Sequence, residues 1–147
     1  LPLLNGTNRA LANLEFEMSN YPSDRRYTKD HEWAKLDGKV ATVGITRYAQ
    51  ESLGDVVYVE LPKIGANVKA GEQFGVVEST KAVSELFAPL TGKVVGVNDA
   101  LSSAPESINQ DPHEKGWMIK VEIASADDFQ KLMDADTYEK HVASQAH

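Results

Sequence analysis

The sequence predicts a mainly β fold, a compact sandwich or barrel, on three observations. Its β-prone runs are short and punctuated by Gly and Pro. Asp37-Gly38 separates Trp33-Ala34-Lys35-Leu36 from Val40-Ala41-Thr42-Val43-Gly44-Ile45, a strong short-range hairpin cue, since a type I′ turn needs positive φ at both central positions. A second pair of β-compatible runs, Phe74-Gly75-Val76-Val77 and Leu86-Phe87-Ala88, flanks Glu78–Glu85 and reads as another hairpin. Nothing resembles helices alternating with parallel strands.

The elements follow in order. Thr46 caps a short helix to Leu53, with Tyr48, Ala49 and Leu53 on its apolar face and Gly54 as its stop. Val56–Leu61 is a strand ended by Pro62. Ala66–Ala70, between Gly65 and Gly71, reads as a tight connection rather than an element. Glu72–Glu78 rises into the second hairpin and Ser84–Ala88 descends. Pro89-Leu90-Thr91-Gly92 then turns the chain into the strand Lys93–Val97. Gly75 and Gly92 suit close strand approach or turns. Asn98–Lys115, with Pro105 and Pro112, reads as loop, and Trp117–Ile123 as the last strand. Trp33 and Trp117 are expected in the core. Ser125 and Asp128 resemble a capping box opening a helix whose face is Phe129, Leu132 and Met133. A further helical stretch with Tyr138 and Val142 runs to about His141; both helices are expected to cover a sheet.

With 147 residues the chain suffices for one domain and is short for two. Leu1–Glu17 lacks the apolar centre of a secretory signal and the Arg-rich character of a mitochondrial presequence. Residues 1–17 are expected to be vector-derived, and the domain to span 18–147 from Met18-Ser19-Asn20. A net charge of −7 opposes binding to nucleic acid or to an anionic membrane. Without cysteine there is no disulfide scaffold, thiolate metal site or cysteine nucleophile. His31, His113 and His141 are too scattered for a metal motif, and His31 is expected beside Trp33. No run approaches the ~20 apolar residues of a membrane span.

Lys81 stands at the tip of the second hairpin, the only basic residue between Lys69 and Lys93. Glu78, Ser79, Thr80, Ser84 and Glu85 surround it. A solvated surface lysine is the commonest reading of such a position. An amine presented on a stiff hairpin is also what the attachment of a mobile cofactor requires. Ser79, Ser84, Glu78 and Glu85 have no histidine beside them in sequence, so no hydrolytic triad can be drawn.

Gly75-Val76-Val77-Glu78-Ser79-Thr80-Lys81-Ala82 resembles the attachment motif of the biotinyl/lipoyl-carrier superfamily. Asp30-His31-Glu32-Trp33, Val43-Gly44-Ile45-Thr46, Ala49-Gln50, Leu53-Gly54-Asp55-Val56-Val57, Val59-Glu60-Leu61-Pro62, Ile108-Asn109-Gln110-Asp111-Pro112 and Gly116-Trp117-Met118 narrow the resemblance to the H-protein family of the glycine cleavage system. It spans about Tyr27 to Val142. The departures are Thr80 where Val is usual, Glu85 where Asp is commoner and His113 where Tyr is common. Lipoyl domains of 2-oxoacid dehydrogenases are shorter and lack the Asp30–Trp33 segment. Biotin carriers place methionine on both sides of the lysine.

The resemblance implies a barrel-sandwich hybrid of two small antiparallel sheets, with a short internal helix and C-terminal helices. It implies covalent (R)-lipoate on Lys81, attached by a lipoate ligase or an octanoyl/lipoyl transferase. It also implies a non-catalytic shuttle, expected to be a monomer. The pyridoxal-phosphate decarboxylase (P-protein) would load the aminomethyl group of glycine. The aminomethyltransferase (T-protein) would take it on to tetrahydrofolate, and dihydrolipoamide dehydrogenase (L-protein) would reoxidise the dithiol. In this family the loaded arm, ending in an ammonium, folds back onto the protein. The matching candidates here are Glu32 first, then Asp30 and Glu85, with Glu78, Ser79 and Thr80 around the turn. Donation of lipoate to other lipoyl domains is a second role the resemblance allows. The expected compartment is a bacterial cytoplasm, or the mitochondrial matrix in a eukaryote.

Overall fold

The computed structural model describes residues 21–145; the segment 1–17 set apart above lies outside them. The chain forms β1 (Arg26–Tyr27), β2 (Glu32–Asp37), β3 (Val40–Ile45), α1 (Arg47–Leu53), β4 (Val56–Glu60), β5 (Asn67–Val68), β6 (Gln73–Ser79), β7 (Val83–Phe87) and β8 (Gly92–Val97). The single-turn helices α2 (Ala100–Ser103) and α3 (Ser107–Gln110) precede β9 (Ile119–Ile123), then α4 (Ala126–Gln130) and α5 (Ala135–Gln145).

Two antiparallel sheets result: a six-stranded one ordered β1-β2-β3-β9-β8-β5 and a three-stranded one ordered β4-β6-β7. They do not close into a barrel. Their inward residues share one core, with Val43, Val94 and Val121 from the larger sheet and Val59, Val77 and Leu86 from the smaller. Burying such side chains is worth roughly 1.5–3 kcal/mol each relative to exposure. A second cluster, Tyr27, Trp33 and Tyr138, lies under α5, with Tyr27 and Tyr138 stacked at 4.7 Å. Trp33 is buried as expected; Trp117 is only half-buried, with the Lys120 ammonium over its ring. No helix among the described residues is long and apolar enough to cross a membrane.

Several local expectations change. The first hairpin is not a type I′ turn on Asp37-Gly38. Asp37 pairs with Val40 as the last residue of β2, so Gly38 and Lys39 form the loop, and of these only Gly38 has positive φ (64°). That is the arrangement of a type II′ turn, with glycine first. The connection 66–70 contains a two-residue strand, Asn67–Val68, recruited by pairing with Lys93 and Gly92. The loop 98–115 holds two helical turns, each burying one residue, Leu101 and Ile108. Single turns are too short to show a periodicity. Ser125 does cap α4, accepting the Asp127 N–H, but Asp128 does not complete a capping box. Its carboxylate accepts the Thr91 N–H at 3.1 Å instead. β4 carries a bulge between Val56 and Tyr58, which leaves both Val57 and Tyr58 half-exposed on the outer face.

Gly75 and Gly92 are close-approach positions. A Cβ at Gly75 would stand 2.4 Å from the Glu60 carbonyl oxygen, and one at Gly92 2.2 Å from that of Glu122. Both obstructing atoms are backbone in a paired strand, so they cannot yield cheaply. Gly92→Ala is therefore expected to lower stability by about 1–3 kcal/mol in urea denaturation. An unchanged midpoint would show that β8 and β9 can separate freely.

Candidate functional site

Lys81 is exposed at the tip of the β6–β7 hairpin. Glu78 pairs with Val83, and the Ser79 N–H donates to the Ala82 carbonyl at 2.8 Å, so Thr80 and Lys81 form the tip. Neither has positive φ, so the turn lacks the backbone shape that best matches strand twist. The Ser79 hydroxyl compensates: its Oγ accepts the N–H groups of Ala82 (3.1 Å) and Lys81 (3.3 Å). The Thr80 N–H donates to the Asp55 carbonyl at 3.0 Å, fastening the tip to the segment that joins α1 to β4.

That segment is itself held. Asn109 accepts the Val56 N–H and donates to the Gly54 carbonyl, both at 2.8 Å, and Arg47 donates to the Asn109 carbonyl at 2.9 Å. Gly54, at φ 84°, ends α1 and leaves room for the lysine stem: a Cβ there would meet Lys81 Cε at 3.5 Å. The family motifs around Gly54 and Asn109 thus become one support beneath the lysine turn.

Beside this support lies a cleft of about 180 Å³. One wall is α1, through Ala49, Ser52 and Leu53; the other is the entry to β2, through Asp30, His31 and Glu32. Ile45, Val77 and Leu86 form an apolar floor, and Ser84 and Glu85 complete the rim. The structure therefore gathers Glu32, Asp30 and Glu85 around one cavity. Glu78, Ser79 and Thr80 are not among its lining residues and belong to the hairpin.

Glu32 is no ordinary surface acid. It is 2 % exposed, and its carboxyl accepts from the Thr28 hydroxyl at 2.6 Å and the Phe87 N–H at 3.3 Å. Burial pushes its pKa up to about 7, against those two hydrogen bonds, with the nearby Asp30 charge adding to the rise. Glu32 also lines a second, 370 Å³ cleft with Phe87, Pro89, Leu132 and Met133, so its carboxyl stands in the partition between two hollows.

Behind the cleft lies a set of contacts that sequence reasoning did not foresee, although it had assigned other roles to His31, Thr46, Tyr48 and Tyr138. His31 does not depend on Trp33. Its ring lies 4.6 Å from that of Tyr48, and Nδ1 and Nε2 are each 2.7 Å from a partner, Tyr138 Oη and Gln145 Oε1 respectively. Its φ of 73° is the only positive value among the described non-glycine residues. Tyr138 is fully buried and also meets Thr46 Oγ1 at 2.7 Å. Thr28, four residues before Glu32, also escaped; a hydroxyl so close to a buried acid was the available signal.

The profile of the glycine cleavage H-protein family matches residues 25–145. The glycine cleavage system H protein of Anaeromyxobacter sp. (strain K) is 61 % identical over 124 residues, covering 84 % of this chain and 97 % of that one. The protein of the same name from Bacillus subtilis is 54 % identical over 119 residues, covering 81 % and 94 %. A crystal structure of a glycine cleavage system H protein from Mycobacterium marinum superposes with a TM-score of 0.77 at 42 % identity, covering 83 % of this chain and 98 % of that one.

The Glu32 environment predicts a pH dependence. An acid whose pKa is higher folded than unfolded stabilises the fold fully below the unfolded value, and that contribution is lost as pH rises through the folded one. For Glu32 the window runs from the ordinary 4.5 to about 7. The stability of the wild type relative to Glu32→Gln should fall across it by on the order of 3 kcal/mol. His113, whose burial drops its pKa to about 4, works in the opposite direction but cancels in that difference. Urea titrations of both proteins at several pH values measure it; a pH-independent gap would mean that Glu32 does not titrate there.

Proposed function

The chain belongs to the glycine cleavage H-protein family, lipoyl carriers of the glycine cleavage system and not catalysts themselves, and on that premise we propose that Lys81 bears the lipoyl arm and that the Glu32 cleft receives its cargo. The observation that carries this reading is the pairing of an exposed lysine, braced from below, with an apolar-floored cleft that ends at a buried carboxyl.

The residues present suit such a group. The lysine stem runs beside Gly54 toward the α1 wall, and Ile45, Leu53, Val77 and Leu86 offer apolar surface to an aliphatic chain. Amide formation at Nζ would remove the ammonium charge at a tip already surrounded by acids. When bound, lipoate supplies a disulfide that accepts the aminomethyl group of glycine and two electrons. The chain contributes attachment, reach and shelter.

Shelter rests on Glu32, Asp30 and Glu85. An ammonium entering the cleft favours the ionised carboxylate, so near neutral pH its arrival would draw the Glu32 proton off to solvent and leave a charge-assisted hydrogen bond. The apolar floor limits the water that can reach the amine. The system's three enzymes follow from this reading as partners: the decarboxylase that loads the arm, the aminomethyltransferase that unloads it and the dehydrogenase that reoxidises it. A lipoate ligase or octanoyl/lipoyl transferase supplies the modification. The relatives above are bacterial, which supports a cytoplasmic setting.

Mass spectrometry of protein produced with a lipoate ligase tests the assignment. A lipoyl mass is expected on the peptide containing Lys81 and none on Lys81→Arg; an unmodified wild type, or a modified variant, would refute it. Glu32→Gln, once lipoylated and loaded, should release ammonia roughly 3- to 10-fold faster, about the effect of losing one charge-assisted hydrogen bond. An unchanged rate would remove Glu32 from the site.

A further inference from the structure

We infer that the buried hydroxyl of Tyr138 is a positioning group for the cleft, bonding to the elements that form both of its walls. This rests on the function proposed above, because it concerns what the cleft holds. The α1 wall begins at Thr46, whose Oγ1 caps the helix by accepting the Ala49 N–H at 3.3 Å. The facing wall contains His31, adjacent to Glu32. Tyr138 Oη lies 2.7 Å from Thr46 Oγ1 and 2.7 Å from His31 Nδ1, so one oxygen meets both.

The hydrogen bonds have a consistent direction. Gln145 Oε1 can only accept, so His31 Nε2 carries the proton and donates to it at 2.7 Å. Burial favours a neutral ring, which leaves Nδ1 as an acceptor for the Tyr138 hydroxyl. Thr46 then donates its own proton to Tyr138 Oη, while its lone pair receives the Ala49 N–H. Every proton is used once and every buried atom has a partner. A backbone bond, Thr46 N–H to the His31 carbonyl at 3.0 Å, already joins the two segments. The hydroxyl adds orientation: it fixes the ring of His31 and, through α5, the left-handed backbone from which Glu32 departs.

Packing alone does not call for this oxygen. The Tyr138 ring is stacked on Tyr27 and meets Tyr21 edge-on, contacts that phenylalanine would also make. A fully buried hydroxyl is costly unless bonded. Its use here is the tie between the helix cap and the histidine.

The test uses full-length lipoylated protein loaded with the aminomethyl group, comparing wild type, Tyr138→Phe, Thr46→Val and the double variant. Ammonia release is expected to accelerate about 2- to 10-fold in each single variant. The double variant should be accelerated by less than the product of the two single effects, because both remove the Thr46–Tyr138 bond while each also loses one bond of its own. A second readout needs no loaded arm: the nitrogen chemical shifts of His31 should show the Nε2–H form in the wild type and a displaced Nδ1 resonance in Tyr138→Phe. Unchanged release and an unmoved Nδ1 resonance in folded Tyr138→Phe would overturn the inference. Should that variant not fold, Thr46→Val is compared with Thr46→Ser, which keeps a hydroxyl for both the cap and Tyr138, and ammonia release alone is read: acceleration confined to Thr46→Val supports the inference and equal rates overturn it. If the loaded wild type releases ammonia no more slowly than a free aminomethyl dihydrolipoyl amide, the sheltering function itself fails, and this inference with it. Fast release from the variants alone, with a protected wild type, is the result that supports it.

Discussion

One hydrogen bond, from the Thr80 N–H to the Asp55 carbonyl, carries the β4–β6 pairing up to the lysine turn and ties that turn to the end of α1. The β6–β7 hairpin is paired with β4 nearly to its tip, and only the two turn residues extend beyond that sheet. Fastening its tip to the junction of α1 and β4 gives the lysine a defined address relative to the helix that walls the cleft. Asn109 and Arg47 hold that junction from below, joining α3 to α1 and to the start of β4.

On the function proposed above, Glu32 illustrates the cost of building a receptor for a cation inside a small protein. A carboxylate at the surface would be easy to keep charged but would bind an ammonium weakly. Burial strengthens the attraction and penalises the empty, ionised state. With a pKa raised to about 7, Glu32 in that proposed role would wait as the neutral acid and ionise when a counter-charge arrives. Thr28 and the Phe87 amide keep either form hydrogen-bonded, so the partition between the two clefts does not collapse.

Much of this was legible in the chain. Most strands, the hairpin at Lys81 and the helix from Thr46 to Gly54 follow from period and punctuation, while Asp30, Glu32 and Glu85 were grouped only through the family resemblance; the two-residue β1 went unseen. What the sequence hid was set by tertiary contacts. Two-residue β5 exists because β8 offers a partner, and α2 and α3 exist because Leu101 and Ile108 find the core. Asp128 leaves its own helix to satisfy a backbone N–H near Gly92. The burial of Glu32 was hidden too, since its neighbours Thr28 and Phe87 are brought to it by the fold. His31 misled for a related reason: its left-handed backbone swings the ring toward Tyr48 and the C-terminal helix.

The bulge in β4 has an effect on how copies of the molecule meet. Turning Val57 and Tyr58 outward together on an edge strand creates a sticky margin of the kind through which sheets from different molecules zip together. Across the three strands Glu60 pairs with Val76, Tyr58 with Glu78 and Glu78 with Val83, so acids stand beside the apolar side chains. Two such faces approaching each other would bring like charges into register. The chain's isoelectric point near 5.0 marks where that mutual repulsion lapses, and concentrated samples are best kept well above it.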